Sequence, residues 1–187
     1  MSRQVHLFDR PRRFIAGTVG QPGERTFFLQ ASAAGRTVSV ALEKAQVSAL
    51  ADRLEELLAE IQRRLGVALP DETTPSEDLD PLETPIEAEF RVGAMGLAWD
   101  GDEQLVVVEA QAAGDEPADE STILEDVEEG PDVLRVRLTA ESARAFIGRA
   151  RRVIAAGRPP CPLCGLPLDP DGHICPRQNG YRRGAAA

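Results

Sequence analysis

Four side chains near the C-terminus have the types and the spacing of a metal site. The stretch CPLCGLPLDPDGHIC, residues 161–175, holds all three cysteines of the chain and one of its two histidines. Cys161 and Cys164 stand three apart with Gly165 after the second. That is the shape of a zinc knuckle, in which two thiolates turn tightly around one ion. The DPDG stretch, 169–172, reads as a turn, with Pro170 at its second position and Gly172 at its fourth. It returns the chain so that His173 and Cys175, two apart in an extended segment, face the same side. The resulting Cys3His set suits tetrahedral Zn2+. Its second pair is His-x-Cys instead of the Cys-x-x-Cys of a common zinc ribbon, so His173 has the weakest support from pattern.

The chemistry expected of such an ion is structural. A catalytic zinc keeps one position open for water or substrate, and four protein ligands close it. No Glu stands beside the ligands as the base of a zinc deaminase or protease would. A redox Cys-x-x-C pair lacks the βαβ surroundings that would support it. Three cysteines grouped with a histidine and turn residues also fit poorly with ordinary buried thiols. The segment is too small for a core of its own, and ion binding of about 10 to 16 kcal/mol is typical for such modules.

The other candidates carry less. GTVGQPGER, 17–25, has the spacing G-x-x-G-x-x-G and no following helix, so it fails as a phosphate loop. Pro22 and Gly23 fit the middle of a type II turn between strands, with Arg25 beside it as a weak anion contact. His6 has no serine or cysteine placed as a nucleophilic partner. Trp99 is expected to pack against a sheet. No carboxylate pair stands out, and no residue is singled out as catalytic. After the knuckle, Arg177, Tyr181, Arg182 and Arg183 form a candidate anion or nucleic-acid contact, an aromatic for stacking beside guanidinium groups for phosphate.

Charge divides the chain. Residues 1–143 carry 13 basic and 29 acidic side chains, whereas residues 144–187 carry eight arginines against Asp169 and Asp171. An acidic body with a basic end follows. The N-terminal residues have no apolar run of the kind a signal peptide needs, and no stretch approaches the roughly 18 to 20 apolar residues of a membrane span. The expected location is the cytoplasm, where thiols stay reduced.

The elements that must position the knuckle read as an α+β fold of two related halves. FIAGTVG resembles FRVGAMG, FFLQA resembles VVVEA, and VSVALEKAQVSALADR resembles LRVRLTAESARAFIGR. Both halves run strands, then a helix. With QVHLF, 4–8, the first half reads ββββα, and the second shows three sure strands. The first helix aligns Val47, Leu50, Leu54, Leu57, Leu58, Ile61 and Leu65 on one face. The second aligns Ala143, Phe146, Ile147, Ala150, Val153 and Ile154, with Thr139 as N-cap and Glu141 in its first turn. Each helix is expected on its own antiparallel sheet, the halves packing around a pseudo-twofold. The expected boundaries are 1–65 for the first repeat, 66–88 for a proline-rich acidic linker, 89–157 for the second repeat with an acidic loop at 114–132, and 158–183 for the zinc module and basic tail.

The strings FIAGTVGQPGERTFFLQA, FRVG, LAWDG and RPPCPLCGLPLDPDGHICPRQNGY together resemble an actinobacterial family catalogued as domain of unknown function 3090, over nearly the whole chain. Its Cys and His positions fall on Cys161, Cys164, His173 and Cys175 without a gap. The resemblance implies an actinobacterial cytoplasmic protein and no established activity. In outline the paired repeats are also similar to the single-strand nucleic-acid-binding domains called whirly or PUR-like, an analogy of fold only. The expectation is therefore a non-enzymatic zinc-binding adaptor with a protein partner and no membrane contact. The alternatives are a single-stranded nucleic-acid binder using the basic end, and an enzyme with a cleft between the repeats.

Overall fold

Apolar alternation along the chain becomes seven strands and two helices. The structure, a computed structural model, describes residues 3–66, 78–114, 124, 125, 127, 129–158, 160–166, 168 and 172–177. The elements run β1 (Val5–Asp9), β2 (Arg13–Val19), β3 (Thr26–Ala33), β4 (Arg36–Leu42), α1 (Lys44–Leu65), β5 (Ala88–Asp100), β6 (Leu105–Ala112), β7 (Val133–Leu138) and α2 (Ala140–Ala155). The class is α+β, and among the described residues no helix is long and apolar enough to cross a membrane.

The expectation of a separate sheet for each helix is corrected. All seven strands join in one sheet, in the order β1-β7-β6-β5-β4-β3-β2. Two antiparallel meanders, β2-β3-β4 and β5-β6-β7, meet where β4 pairs in parallel with the start of β5, Ser39 opposite Ala88 and Ala41 opposite Arg91. β1 pairs with no strand of the first half and runs in parallel beside β7, from Val5 opposite Val133 to Asp9 opposite Arg137. A twofold axis would reverse the strand order of one meander relative to the other. Here both run across the sheet in the same sense, with β4 and β5 parallel, so the strand order does not have the expected pseudo-twofold.

One face of the sheet and both helices share a core. Leu29, Val40, Leu54, Leu58, Val106, Val136 and Phe146 are almost wholly inaccessible within it. On α1 the buried stripe is Val47, Leu50, Ala51, Leu54, Leu58 and Ile61, while Leu57 is half-buried and Leu65, expected on the same stripe, is 59% exposed. On α2, Ala143, Phe146, Ile147 and Ala150 face in, and Thr139 Oγ1 caps the helix by accepting from the Ser142 N–H at 3.1 Å. Phe146 stacks on Phe14 of β2 with ring centroids 4.8 Å apart. The helix that follows β7 therefore reaches to the opposite edge strand. At the other edge, Phe8 of β1 enters the same core, and the Arg36 guanidinium of β4 lies 4.8 Å over its ring. The sheet curls until β1 meets the β3–β4 hairpin.

The second face is covered by part of the stretch read as a linker. Leu82 and Ile86 pack on Ile15, Phe28 and Ala41. Asp78 anchors this segment, accepting from Arg13 Nε at 2.5 Å and Nη2 at 2.7 Å and from Arg149 Nη1 at 3.1 Å. The same Arg149, buried on α2, also donates to the carbonyls of Ala16 (2.9 Å) and Asp80 (2.7 Å). Those bonds satisfy a charge that burial would otherwise penalise. The acidic loop expected at 114–132 lies largely outside the described residues. Its described part is drawn onto β6 by the buried Glu109, which accepts from the Leu124 N–H (3.1 Å), Arg3 (2.8 Å) and Arg135 (2.7 Å).

Candidate metal centre

The fold delivers the knuckle from the end of α2. There the Ala156 N–H donates to the Arg152 carbonyl at 2.9 Å. Arg25 reaches over from the start of β3 and donates to the carbonyls of Val153 and Ala156. Cations suit the negative end of a helix, so Arg25, considered above as an anion contact, is occupied by α2. The turn before it forms as the Pro22–Gly23 pair implies: the Glu24 N–H donates to the Gln21 carbonyl at 2.9 Å, and Gly23 has φ +105°.

Beyond α2 the chain makes one tight loop. The Cys161 N–H donates to the Leu166 carbonyl at 2.7 Å, and the Gly165 N–H donates to the Cys161 carbonyl at 2.8 Å. Closing it puts Gly165 at φ +75°, a left-handed conformation that side chains disfavour and glycine tolerates. The N–H groups of Cys164 and Leu163 point at the Cys161 sulfur and hold its thiol below the usual range. At Cys164 a bond from the Leu166 N–H favours the thiolate, but burial and the neighbouring Cys161 and Cys175 sulfurs outweigh it and push the thiol up. Crowded thiolates repel one another, and a cation between them removes the conflict.

From the other side, the extended segment at 172–175 returns His173 and Cys175. Alternation places them inward, Cys175 buried and His173 half-buried, while Ile174 between them is 85% exposed. Ligand atoms of Cys161, Cys164, His173 and Cys175 all lie within 4.8 Å of one another, the one such cluster among the described residues. Cys161 Sγ is 4.0 Å from Cys175 Sγ, and Cys164 Sγ is 3.1 Å from His173 Nε2. Metal–sulfur bonds of about 2.3 Å in a tetrahedron set sulfurs about 3.8 Å apart, so this spacing fits one coordination sphere. A disulfide needs about 2.05 Å, and all three cysteines are free. The cluster could bind a metal ion. It contains three sulfurs and one nitrogen and no carboxylate. His173 Nδ1, the atom through which a metal-bound histidine usually makes the outer bond that fixes its tautomer, is buried with no hydrogen-bond partner among the described residues.

The remaining candidates are scattered. Arg177 is exposed two residues beyond Cys175. Tyr181, Arg182 and Arg183 lie outside the described residues, as does the DPDG turn apart from Gly172, which has φ +88°. Upstream, arginines of the basic end meet carboxylates of the acidic body: Arg149 holds Asp78, and Arg151 donates to Glu55 at 3.0 Å. His6 is buried with Nδ1 3.1 Å from Arg36. Trp99 packs half-buried against the core. One feature of the knuckle escaped the sequence reading. Leu163, Leu166 and Ile174 are exposed at 50%, 50% and 85%. Their positions between and beside the ligands were the available signal, because residues alternating with inward ligands must point out.

The family model described as "Protein of unknown function (DUF3090)" matches residues 6–175, from β1 to the last of the four clustered side chains. No curated protein and no solved structure matches the chain.

Proposed function

The chain belongs to the DUF3090 family of proteins of unknown function, and we propose that it is a non-enzymatic adaptor whose knuckle is held by one structural zinc ion. Cys161, Cys164, His173 and Cys175 would hold the ion and use all four positions of a tetrahedral site. The observation that carries this is the donor set: three sulfurs and one nitrogen within 4.8 Å, with no carboxylate among them. Soft thiolates with one imidazole favour zinc over magnesium, calcium or manganese. Free thiols fit a reducing compartment, which supports the cytoplasm. The adaptor reading is supported by the three large apolar side chains that the knuckle turns outward, Leu163, Leu166 and Ile174, which a protein partner would bury. A protein partner is favoured over nucleic acid because Arg149 and Arg151 of the basic end engage internal carboxylates.

The test is metal analysis of protein purified from zinc-sufficient medium, followed by cobalt substitution. One zinc per chain is expected, and the cobalt form should show tetrahedral ligand-field bands with charge transfer from three thiolates. Metal-free protein overturns the proposal. A cobalt spectrum with a bound water or fewer than three thiolates overturns the structural role.

A further inference from the structure

β5 is thirteen residues long, and only its first part is paired on the side of β4. The β4–β5 ladder stops at Arg91, where β4 ends and α1 begins. Gln46 on α1 closes the junction, donating from Nε2 to the Val92 carbonyl at 3.1 Å. From Val92 to Asp100 the strand pairs with β6 on one side. Among the described residues no strand pairs with it on the other. The run VGAMGLAW, 92–99, contains no charge and no proline, two of the devices by which proteins blunt an open edge, and its one register shift lies at the start, between Val92 and Ala94. Side chains from Ala94 to Asp100 are all half-buried.

Alongside that edge runs α1, and between them lies a groove of about 480 Å³. Leu50 and Leu57 of the helix and Met95 and Leu97 of the strand make it apolar, with Arg53, Glu56 and Glu60 along the helix. A strand edge facing a helix across an apolar channel is the geometry in which extended peptides add to a sheet: main-chain bonds supply affinity and alternate side chains supply specificity. The chemistry of the occupant follows from the lining. Main-chain groups with no strand partner among the described residues call for an extended polypeptide, and the floor calls for apolar side chains at every second position. The helix side carries two carboxylates against one guanidinium, on a body strongly acidic overall, and so calls for a basic side chain. Glu56 pairs with Arg53 (3.1 Å) and Glu60 with both Arg63 (3.0 Å) and Arg64, but exposed pairs on one helix are worth little and exchange readily.

We propose that the groove between α1 and the open edge of β5 is a peptide-binding site, which takes an extended segment of a partner protein that is apolar at alternate positions and basic toward α1. The site is separate from the knuckle, and the proposal does not depend on the metal.

The probe is a random dodecapeptide library displayed on phage and selected on the full-length protein, with the enriched peptide then synthesised. Alternating apolar positions with a basic residue are expected. Methylating the peptide's amide nitrogens at alternate positions should cut affinity at least tenfold in one register and little in the other, a result independent of how the protein folds. Leu57→Glu should abolish binding, and the surface change Glu56→Lys with Glu60→Lys should weaken it at least fivefold. Replacing Cys161 and Cys164 should leave it unchanged. Failure to enrich any peptide overturns the proposal, as does affinity indifferent to methylation in both registers. Slow hydrogen exchange at every amide of 94–100 in the free monomer, or a dimer joined through this edge, overturns it as well.

Discussion

The sheet body and the knuckle are held by opposite means. In the body, Phe146, Leu29, Leu54, Leu58 and Leu138 are buried almost completely, and apolar surface removed from water contributes about 25 cal/mol per Å². In the knuckle the buried residues are Cys161 and Cys175, while Leu163, Leu166 and Ile174 face solvent. Apolar side chains stabilise the first region and are left free by the second. Two backbone bonds close the Cys161–Leu166 loop, and a net hydrogen bond contributes only about 1 kcal/mol. A segment with that inventory has little besides its four donor atoms to hold it, which is where the proposed ion would act. On the proposed reading, a scaffold folded by burial carries an appendage folded by an ion.

Loss of the donors should act on the knuckle alone. Cys161→Ser with Cys175→Ser should take bound zinc from about one per chain to none, forfeiting an apparent binding free energy of about 10 to 16 kcal/mol. Hydrogen exchange should then become fast across 160–177 and stay slow in β3, β6 and α1. Collapse of the whole molecule would show that the scaffold is not independent. Next comes the reverse perturbation. Phe146 is fully buried and stacked on Phe14, so Phe146→Ala should cost the body about 3 to 5 kcal/mol in denaturant unfolding with zinc content unchanged. Loss of metal in that variant would join the two regions energetically.

How much of this was legible differs between the regions for the same reason. The knuckle could be read directly, because its four donors lie within fifteen residues and spacing nearly fixes their geometry. Strand positions and both helix stripes were legible from period alone, and so was the Thr139 cap. Which strand pairs with which was not. β1 has the alternation of an edge strand, and nothing local distinguishes pairing with its own half from pairing with β7, 124 or more residues away. The stretch 66–88 has a linker's composition, yet Asp78 and Leu82 within it bind Arg13, Arg149 and the second sheet face. One carboxylate and one leucine do not alter a composition. The part of β5 with no strand beside it on the β4 side among the described residues was invisible for the same cause, since the β4–β5 ladder stops where α1 begins.

The smallest effect tests how that stretch is tied down. Hydrogen bonds from Arg13, then the nearby charge of Arg149, hold the Asp78 carboxyl below the usual carboxylate value. A carboxyl lowered in the folded state contributes stability that is fully present above its unfolded value, about pH 3.9, and is lost as pH falls through the lowered one. Asp78→Asn should therefore cost about 2 kcal/mol at neutral pH, the scale of a charged hydrogen bond lost, and should flatten the acid limb of the body's stability curve below about pH 4. Zinc content at neutral pH should not change, because no ligand of the cluster touches this carboxylate. An unaltered acid limb would mean that Leu82, buried on the second face, and the half-buried Ile86 beside it anchor the segment without the ion pair.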